Sequence, residues 1–226
     1  GILRVGSEAF QTNVAPAEVI SRALKAAGLN ENCVQIVPSS DRSLLNEMLS
    51  LDAYINCIIP RGGEGLIRFV VKNSTIPVLK HYKGVCTVYI DKSADLRLAK
   101  ILTVDAKCQR PSVCNAAENL IVHSAAAQFL PEIAKLLVDR GVEIRASDRA
   151  AKILNQAGIA CKPATELDFS TEYIDLIISV DIVDSVDDAV AFINKYGSGH
   201  SDLIVAADPK AAETFLNGVD SATVYW

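Results

Sequence analysis

The chain contains little of several residue types that often carry chemistry or cross-links. It has one Met, one Trp and three His among 226 residues, and only 6% of its residues are aromatic. Its six cysteines include no C-x-x-C pair and have no close histidine partner, so their spacing predicts neither a zinc site nor a disulfide framework. Free cysteines are typical of a reducing compartment, and we therefore expect a cytoplasmic protein.

A positive charge surplus and a long apolar run are also absent. The net charge of -5 argues against a surface for nucleic acid or anionic membranes, because no basic field is available to attract them. No run approaches the roughly 18 apolar residues that cross a bilayer. Half of the residues are hydrophobic, and a chain of this length can bury roughly 70% of its unfolded surface. The composition indicates a soluble globular protein, whose local basic clusters could still bind small anions.

Short apolar runs alternate with amphipathic stretches along the whole chain. This alternation predicts an α/β protein with two doubly wound, mostly parallel, three-layer halves. In the first half, strands are predicted near the start and at residues 34–37, 54–59 and 76–79, with helices at 13–27, 41–49 and 66–72. A second series of strands and helices begins at Val85, and its predicted helices include residues 125–140 and 186–196. The polar segment 80–84 is the predicted boundary, which gives two domains, residues 1–83 and 84–226.

Two strand-to-helix turns in the first half are candidate anion sites. Pro60-Arg-Gly-Gly-Glu-Gly65 follows a predicted strand and opens a helix, so its backbone amides could face a phosphate or a dinucleotide, with Arg61 as a second contact. A tight turn that needs glycine explains the same residues equally well. Arg4, Ser7 and Glu8 form the other turn, where helix capping is the alternative explanation.

Cys114 is the best candidate for a nucleophile. It lies in a polar turn between a predicted helix and a predicted apolar strand, with Lys107 and Arg110 nearby to favour a thiolate and Asn115 beside it as an amide donor. Pro111 and Ser112 keep this backbone out of regular pairing. A buried, inert thiol is the competing interpretation, because most free cysteines are of that kind.

Four segments together resemble one enzyme family. They are Ile59–Ile67 (IPRGGEGLI), Asn73–Val78 (NSTIPV), Gln109–Glu118 (QRPSVCNAAE) and Tyr196–Asp202 (YGSGHSD). In content and order they are similar to the gamma-glutamyl phosphate reductases, also called glutamate 5-semialdehyde dehydrogenases, a branch of the aldehyde dehydrogenase superfamily. The resemblance extends over essentially the whole chain, and it implies an aldehyde-dehydrogenase-like fold.

The resemblance implies an NADPH-dependent reduction of L-glutamyl 5-phosphate to L-glutamate 5-semialdehyde in proline biosynthesis. Cys114 would form a thioester as phosphate leaves, and Arg110, Ser112 and Asn115 would hold the acyl phosphate. For the cofactor, the resemblance assigns Arg4, Ser7 and Glu8 to the adenosine side, with Ser7 leaving room for a 2'-phosphate. It assigns a further set to the pyrophosphate region: Arg61, Gly62, Gly63 and Gly65. Residues 1–83 would then be a partial dinucleotide-binding domain, residues 84–226 the catalytic domain, and no metal is implied.

The chain departs from the family pattern in places. Lys80 stands where Glu is frequent, Val85 and Thr87 replace Asn and His, and Val5 replaces Gly. Members of the family are nearly twice as long. We therefore expect this chain to be a fragment with little activity alone, and its parent protein to be an enzyme that forms a homodimer. Two alternatives stay open: an aldehyde dehydrogenase that oxidises an aldehyde to an acid, and a non-catalytic part of a bifunctional kinase-reductase.

Overall fold

The computed structural model describes residues 1–6, 10–80 and 82–226. The chain divides into two compact units, Gly1–Tyr82 and Lys83–Trp226. The assignment of these parts to cofactor binding and to catalysis stays a prediction. No helix in the described part of the chain is long and apolar enough to cross a membrane.

The first unit contains three helices and very little sheet. Strand β1 (Ile2–Leu3) pairs in parallel with β2 (Gln35–Ile36). The helices are α1 (Phe10–Ala26), α2 (Ser43–Met48) and α3 (Glu64–Asn73), and a 3-10 turn covers Glu31–Cys33. Helix α1 is followed by Gly28, whose φ of 70° favours glycine and stops the helix where the sequence predicts its end.

The predicted strands 54–59 and 76–79 are reduced to one parallel bridge, Ile58 to Val78. Tyr54 is 82% exposed and Ile59 64% exposed. The prediction of full strands here was wrong, because an apolar run becomes a strand only where neighbouring strands pair with its backbone and a layer covers its side chains. The described part of the first unit therefore contains less strand than the sequence predicts.

The second unit is built on one seven-stranded parallel sheet. Its strands are β3 (Cys86–Ile90), β4 (Ala117–His123), β5 (Glu143–Ala146), β6 (Lys162–Pro163), β7 (Ile177–Val183), β8 (Ser201–Val205) and β9 (Thr223–Tyr225), in the order β6-β5-β7-β4-β3-β8-β9. Its helices are α4 (Leu96–Cys108), α5 (Leu130–Val138), α6 (Asp148–Gln156), α7 (Val186–Tyr196) and α8 (Pro209–Gly218). The central strands β3 and β4 are buried throughout, as expected for parallel strands covered on both faces, although β4 has the polar residues Glu118 and Asn119 near its start.

Helices cover both faces of this sheet and create two separate cores. Helices α4, α5 and α6 pack with one core, which contains Leu120 and Val122. Helices α7 and α8 pack with the other, which contains Tyr89 and Ile121. The predicted mostly parallel α/β architecture with flanking helices is confirmed. The predicted helix 125–140 differs at its start, where Ser124–Phe129 is a 3-10 segment before α5.

The parallel strands place several polar turns at one edge of the sheet. The chain enters β3 just after Gly84, β4 just after the Cys114 turn, and β8 just after His200. These segments all precede strands, so they meet at the amino-terminal edge of the sheet. The candidate site in this unit is built from that edge.

Candidate active site

Cys114 lies exposed in the turn that joins α4 to β4. Within this turn the Val113 N–H donates to the Arg110 carbonyl oxygen at 3.3 Å, and the Ala116 N–H donates to the Val113 carbonyl oxygen at 3.0 Å. The Cys114 side chain is thus exposed to solvent on an irregular segment that directly precedes the buried strand β4. That arrangement fits a nucleophile better than the buried, inert thiol of the competing interpretation.

Two neighbours from the start of β3 fix the backbone of Cys114. A Cβ atom added to Gly84 would lie 1.8 Å from the Cys114 carbonyl oxygen, so only glycine allows this approach. The Cys86 thiol donates to the same oxygen, with 3.4 Å between sulfur and oxygen. Burial raises the pKa of the Cys86 thiol to about 12, and the Asp202 carboxylate adds to the rise. Cys86 is therefore a permanent donor and not a second nucleophile.

The sequence predicted that Lys107 lies near the Cys114 thiol, but its charged group is elsewhere. It is fully buried at the end of α4, and its Nζ lies 2.7 Å from Oε2 of Glu118, which is also fully buried. Burial raises the pKa of Glu118 to about 7, while the hydrogen bond from Lys107 acts in the opposite direction. The prediction that Lys107 favours the Cys114 thiolate was wrong, because its charge is directed into the core.

Arg110 and Asn115 line one cavity of about 220 Å³ beside the Cys114 turn. Its other walls include the strand starts Cys86, Thr87 and Asp202. Asp202 accepts from the Thr87 N–H at 2.8 Å, and burial raises the pKa of its carboxyl group. The structure thus brings two of the three predicted substrate contacts together.

Ser112 and His200 occupy separate positions around the turn. Ser112 is exposed on the Cys114 turn itself and is not among the residues that line the cavity. The His200 Nδ1 lies 2.8 Å from the Ser201 Oγ and 3.9 Å from the Cys86 Sγ. The substrate roles of Arg110, Ser112 and Asn115 stay predictions, and His200 contacts groups that support the turn.

The first unit contains a separate cleft of about 780 Å³ that includes Arg4 and Gly65. Arg4 Nη2 donates to the carbonyl oxygens of Ser40 at 3.2 Å and Asp41 at 3.4 Å. Its Nε is buried and has no hydrogen-bond partner among residues 1–6, 10–80 and 82–226. The cleft also contains Arg42, so two guanidinium groups are available for an anion.

The glycine turn before α3 has the geometry that the sequence predicts. Gly62 has φ of 150°, and a Cβ there would lie 2.9 Å from Leu66 Cδ2. Gly63 is the N-cap residue of α3 without a side-chain cap, so the first amides of the helix stay open to an anion. Arg61 is exposed and does not line the cleft. Ser7 and Glu8, the other predicted cofactor contacts, lie outside the described residues.

Comparison with known proteins decides the family. No protein-family model matches the chain. The chain is 52% identical over 227 aligned positions to gamma-glutamyl phosphate reductase from Opitutus terrae, with 100% of the chain and 53% of that protein covered. The crystal structure of gamma-glutamyl phosphate reductase from Thermotoga maritima superposes with a TM-score of 0.92 at 43% identity, covering 99% of the chain and 53% of that structure. The chain belongs to the gamma-glutamyl phosphate reductase family.

The chain also shares its fold with an aldehyde dehydrogenase of known structure. A propionaldehyde dehydrogenase from Clostridium phytofermentans superposes with a TM-score of 0.71 at 20% identity, over 96% of the chain and 57% of that structure. This likeness concerns the fold alone. The chain spans about half the length of the curated relatives that it matches.

Sequence reasoning missed several residues that shape the two candidate sites. They are Gly84, Cys86, Glu118, Ser40 and Arg42. Only Gly84 gave a signal, since a glycine directly before a buried strand is a common mark of close backbone approach. The others are ordinary in the sequence and gain their roles from long-range packing.

Proposed function

We propose that this chain supplies the nucleophile and part of the cofactor site of an enzyme that reduces L-glutamyl 5-phosphate to L-glutamate 5-semialdehyde and releases phosphate. The observation that carries this proposal is an exposed thiol, Cys114, on a turn fixed by Gly84 and Cys86, in a chain whose relatives bear the reductase name. The relatives' name supports a role in proline biosynthesis.

The first half of the reaction is acyl transfer to Cys114. The sulfur attacks the acyl carbon of the substrate, the carbon–oxygen bond to phosphate breaks, and a thioester forms on Cys114. An acyl phosphate is already activated, so phosphate leaves without a general acid. Arg110 is exposed at the start of the turn and would meet the phosphate with its planar fork of donors. Asn115 offers amide donors from the neighbouring cavity wall.

The second half of the reaction reduces the thioester. NADPH, when bound, supplies the hydride for this step. Cys114 then leaves as a thiol from the resulting thiohemiacetal, and its sulfur is ready for another substrate molecule. The Cys114 backbone keeps its place in both halves because Gly84 and Cys86 contact its carbonyl oxygen. Because no water has to be activated in the forward direction, a general base beside Cys114 is not required.

The cleft of the first unit fits a phosphorylated cofactor. Arg4 has a buried Nε with no partner among the residues that the structure describes, and Arg42 adds a second positive charge. Ser40, Ser43 and Asn46 line the same cleft and offer the donors and acceptors that a ribose requires. Arg4, Arg42 and the amides of the glycine turn are the groups that would hold NADPH.

The reaction class is tested in reverse, in a chimaera in which this chain replaces the matching segment of the Opitutus terrae relative. Glutamate 5-semialdehyde with NADP⁺ should give NADPH only when phosphate is added, and Cys114→Ser should give none. An aldehyde dehydrogenase that forms the free acid uses water, so NADPH formation without phosphate would contradict the proposal. The homodimer implied by the resemblance stays a prediction.

A further inference from the structure

The Cys114 turn depends on the elements at its two ends. The turn, residues 109–116, has most of its side chains in solvent and contains only short-range backbone bonds such as those from Val113 and Ala116. A segment of this kind, with few buried contacts and exposed backbone, opens readily unless its ends are fixed. Besides the contacts of Gly84 and Cys86 with its carbonyl oxygen, the position of Cys114 therefore rests on what joins the end of α4 to the start of β4.

A buried pair joins these two ends directly. Lys107 is in the last turn of α4 and Glu118 is the second residue of β4, so the pair brackets the Cys114 turn. The Lys107 Nζ to Glu118 Oε2 distance is 2.7 Å, and both side chains are 0% exposed. Across the base of the turn this is a short, directed contact that solvent cannot compete for.

Glu118 lies on the face of β4 that meets α4, together with Leu120 and Val122. Cys86 of β3 lies opposite Ala117, but the next residue, Thr87, lies opposite Asn119, so Glu118 is an extra residue in β4. A bulge of this kind turns a side chain to a different face of the sheet. Ala117 packs in the core beneath α4, whereas the Asn119 Nδ2 donates to the Phe169 carbonyl oxygen on the opposite face. The bulge thus places Ala117 on the same face as Glu118, and the regular alternation of β4 from Asn119 onward turns Glu118 toward Lys107.

Lys107 occupies a core position of its helix. Ala99, Thr103 and Lys107 follow at intervals of four residues and are all fully buried, so they share the face of α4 that meets the sheet. Two apolar residues of similar volume would stabilise such a position as well as a buried charged pair does, or better. What an apolar pair does not provide is one fixed geometry between helix and strand.

We propose that Lys107 and Glu118 are positioning residues that hold the Cys114 turn by joining both of its ends. The proposal rests on the proposed function, in which Cys114 is the nucleophile. Neither residue touches the substrate. Their pairing fixes where the turn leaves α4 and where it enters β4, and so fixes the place from which the Cys114 sulfur attacks.

The test compares apolar and charge-swapped pairs in the complete 226-residue chain. The variants are Lys107→Met with Glu118→Met, and Lys107→Glu with Glu118→Lys. The control is Lys100→Met with Glu132→Met, which removes a more exposed pair at 3.0 Å between α4 and α5. Amide hydrogen exchange is measured separately for residues 109–116 and for β3, since exchange reports local opening.

A positioning role predicts local loosening without loss of the fold. In the apolar pair, exchange in residues 109–116 should rise by about tenfold while β3 stays protected, and the control should match the natural chain. The charge-swapped pair should restore part of the protection. Unchanged exchange in the turn of the apolar pair, or equal acceleration in β3, would overturn the proposal. If the variant with the apolar pair does not fold, Glu118→Gln is measured in its place. Faster exchange in residues 109–116 with β3 protected would again support the proposal, and unchanged exchange in the turn would again overturn it.

A second readout separates this proposal from the proposed function. Acylation of Cys114 by an acyl phosphate, measured by mass spectrometry of its peptide, should slow by about tenfold in the apolar pair, which corresponds to about 1.4 kcal/mol. If the natural chain shows no acylation, the proposed function fails, but the exchange result still decides whether the pair holds the turn. If the apolar pair shows faster exchange in residues 109–116 but an unchanged rate of Cys114 acylation, the positioning role of the pair is overturned.

Discussion

The two units of this chain show what the same apolar pattern becomes in different surroundings. In the second unit, apolar runs such as 86–90 form fully buried strands with a partner on each side. In the first unit, the equally apolar run 54–59 leaves Tyr54 and Ile59 largely in solvent and forms only one bridge. The pattern reports that a segment tends to be buried, and neighbouring strands decide whether it becomes part of a sheet.

The largest expected effect comes from truncating one isoleucine in each unit, which tests whether the two units differ as described. Ile121→Ala should lower the free energy of unfolding by about 4 kcal/mol, because Ile121 is 0% exposed in the core between the sheet and α7 and α8. Ile59→Ala should change it by less than about 0.5 kcal/mol, because Ile59 is 64% exposed. Urea denaturation measures both. A similar loss in the two variants would show that the run 54–59 is part of a core after all.

Two glycines sharpen the comparison at the candidate sites. Gly84→Ala should cost about 3 kcal/mol and should displace the Cys114 turn, because the added Cβ would lie 1.8 Å from the Cys114 carbonyl oxygen. Gly63→Ala is the matched control, since nothing lies within 4 Å of the added atom and its φ is -67°. Thermal unfolding and Cys114 acylation measure the pair. Normal acylation in a folded Gly84→Ala chain would refute the role of Gly84.

Helix α7 and the Lys107–Glu118 pair show how much of the structure can be predicted from the sequence alone. Helix α7 was predicted with its observed bounds, because Ser185 caps its start and a glycine follows its end. The buried position of Lys107 could have been inferred from its four-residue spacing with Thr103, whereas the partner Glu118 could not. Glu118 meets Lys107 because β4 packs beneath α4, and packing between a helix and a strand leaves no local pattern in the sequence.

A pH series tests the buried Glu118 carboxyl group against Glu118→Gln. Burial raises the pKa of Glu118 from 4.5 in the unfolded chain to about 7, although the hydrogen bond from Lys107 acts to lower it. The folded state then binds the proton more tightly, so the contribution of Glu118 to stability is fully present below pH 4.5 and is lost as the pH rises through about 7. Relative to Glu118→Gln, the natural chain should lose about 3 kcal/mol over this range. Chemical denaturation at each pH measures it, and a constant difference would contradict the assignment.

The smallest expected effect concerns the cleft of the first unit. Arg42→Gln should weaken NADPH binding by about tenfold, because one charged contact to the cofactor is lost. Arg22→Gln, an exposed position on α1 outside that cleft, serves as the control. Fluorescence titration with NADPH measures both variants. Equal affinities would move the cofactor site away from Arg4 and Arg42.

The central claim is that Cys114 is the acylated nucleophile, and one measurement tests it most directly. The chain is mixed with L-glutamyl 5-phosphate generated by a glutamate kinase, and peptides are then analysed by mass spectrometry while released phosphate is counted. The account predicts a glutamyl thioester on the Cys114 peptide, one phosphate released for each thioester, and neither product in Cys114→Ser. A thioester on another cysteine, or equal phosphate release from Cys114→Ser, would contradict it.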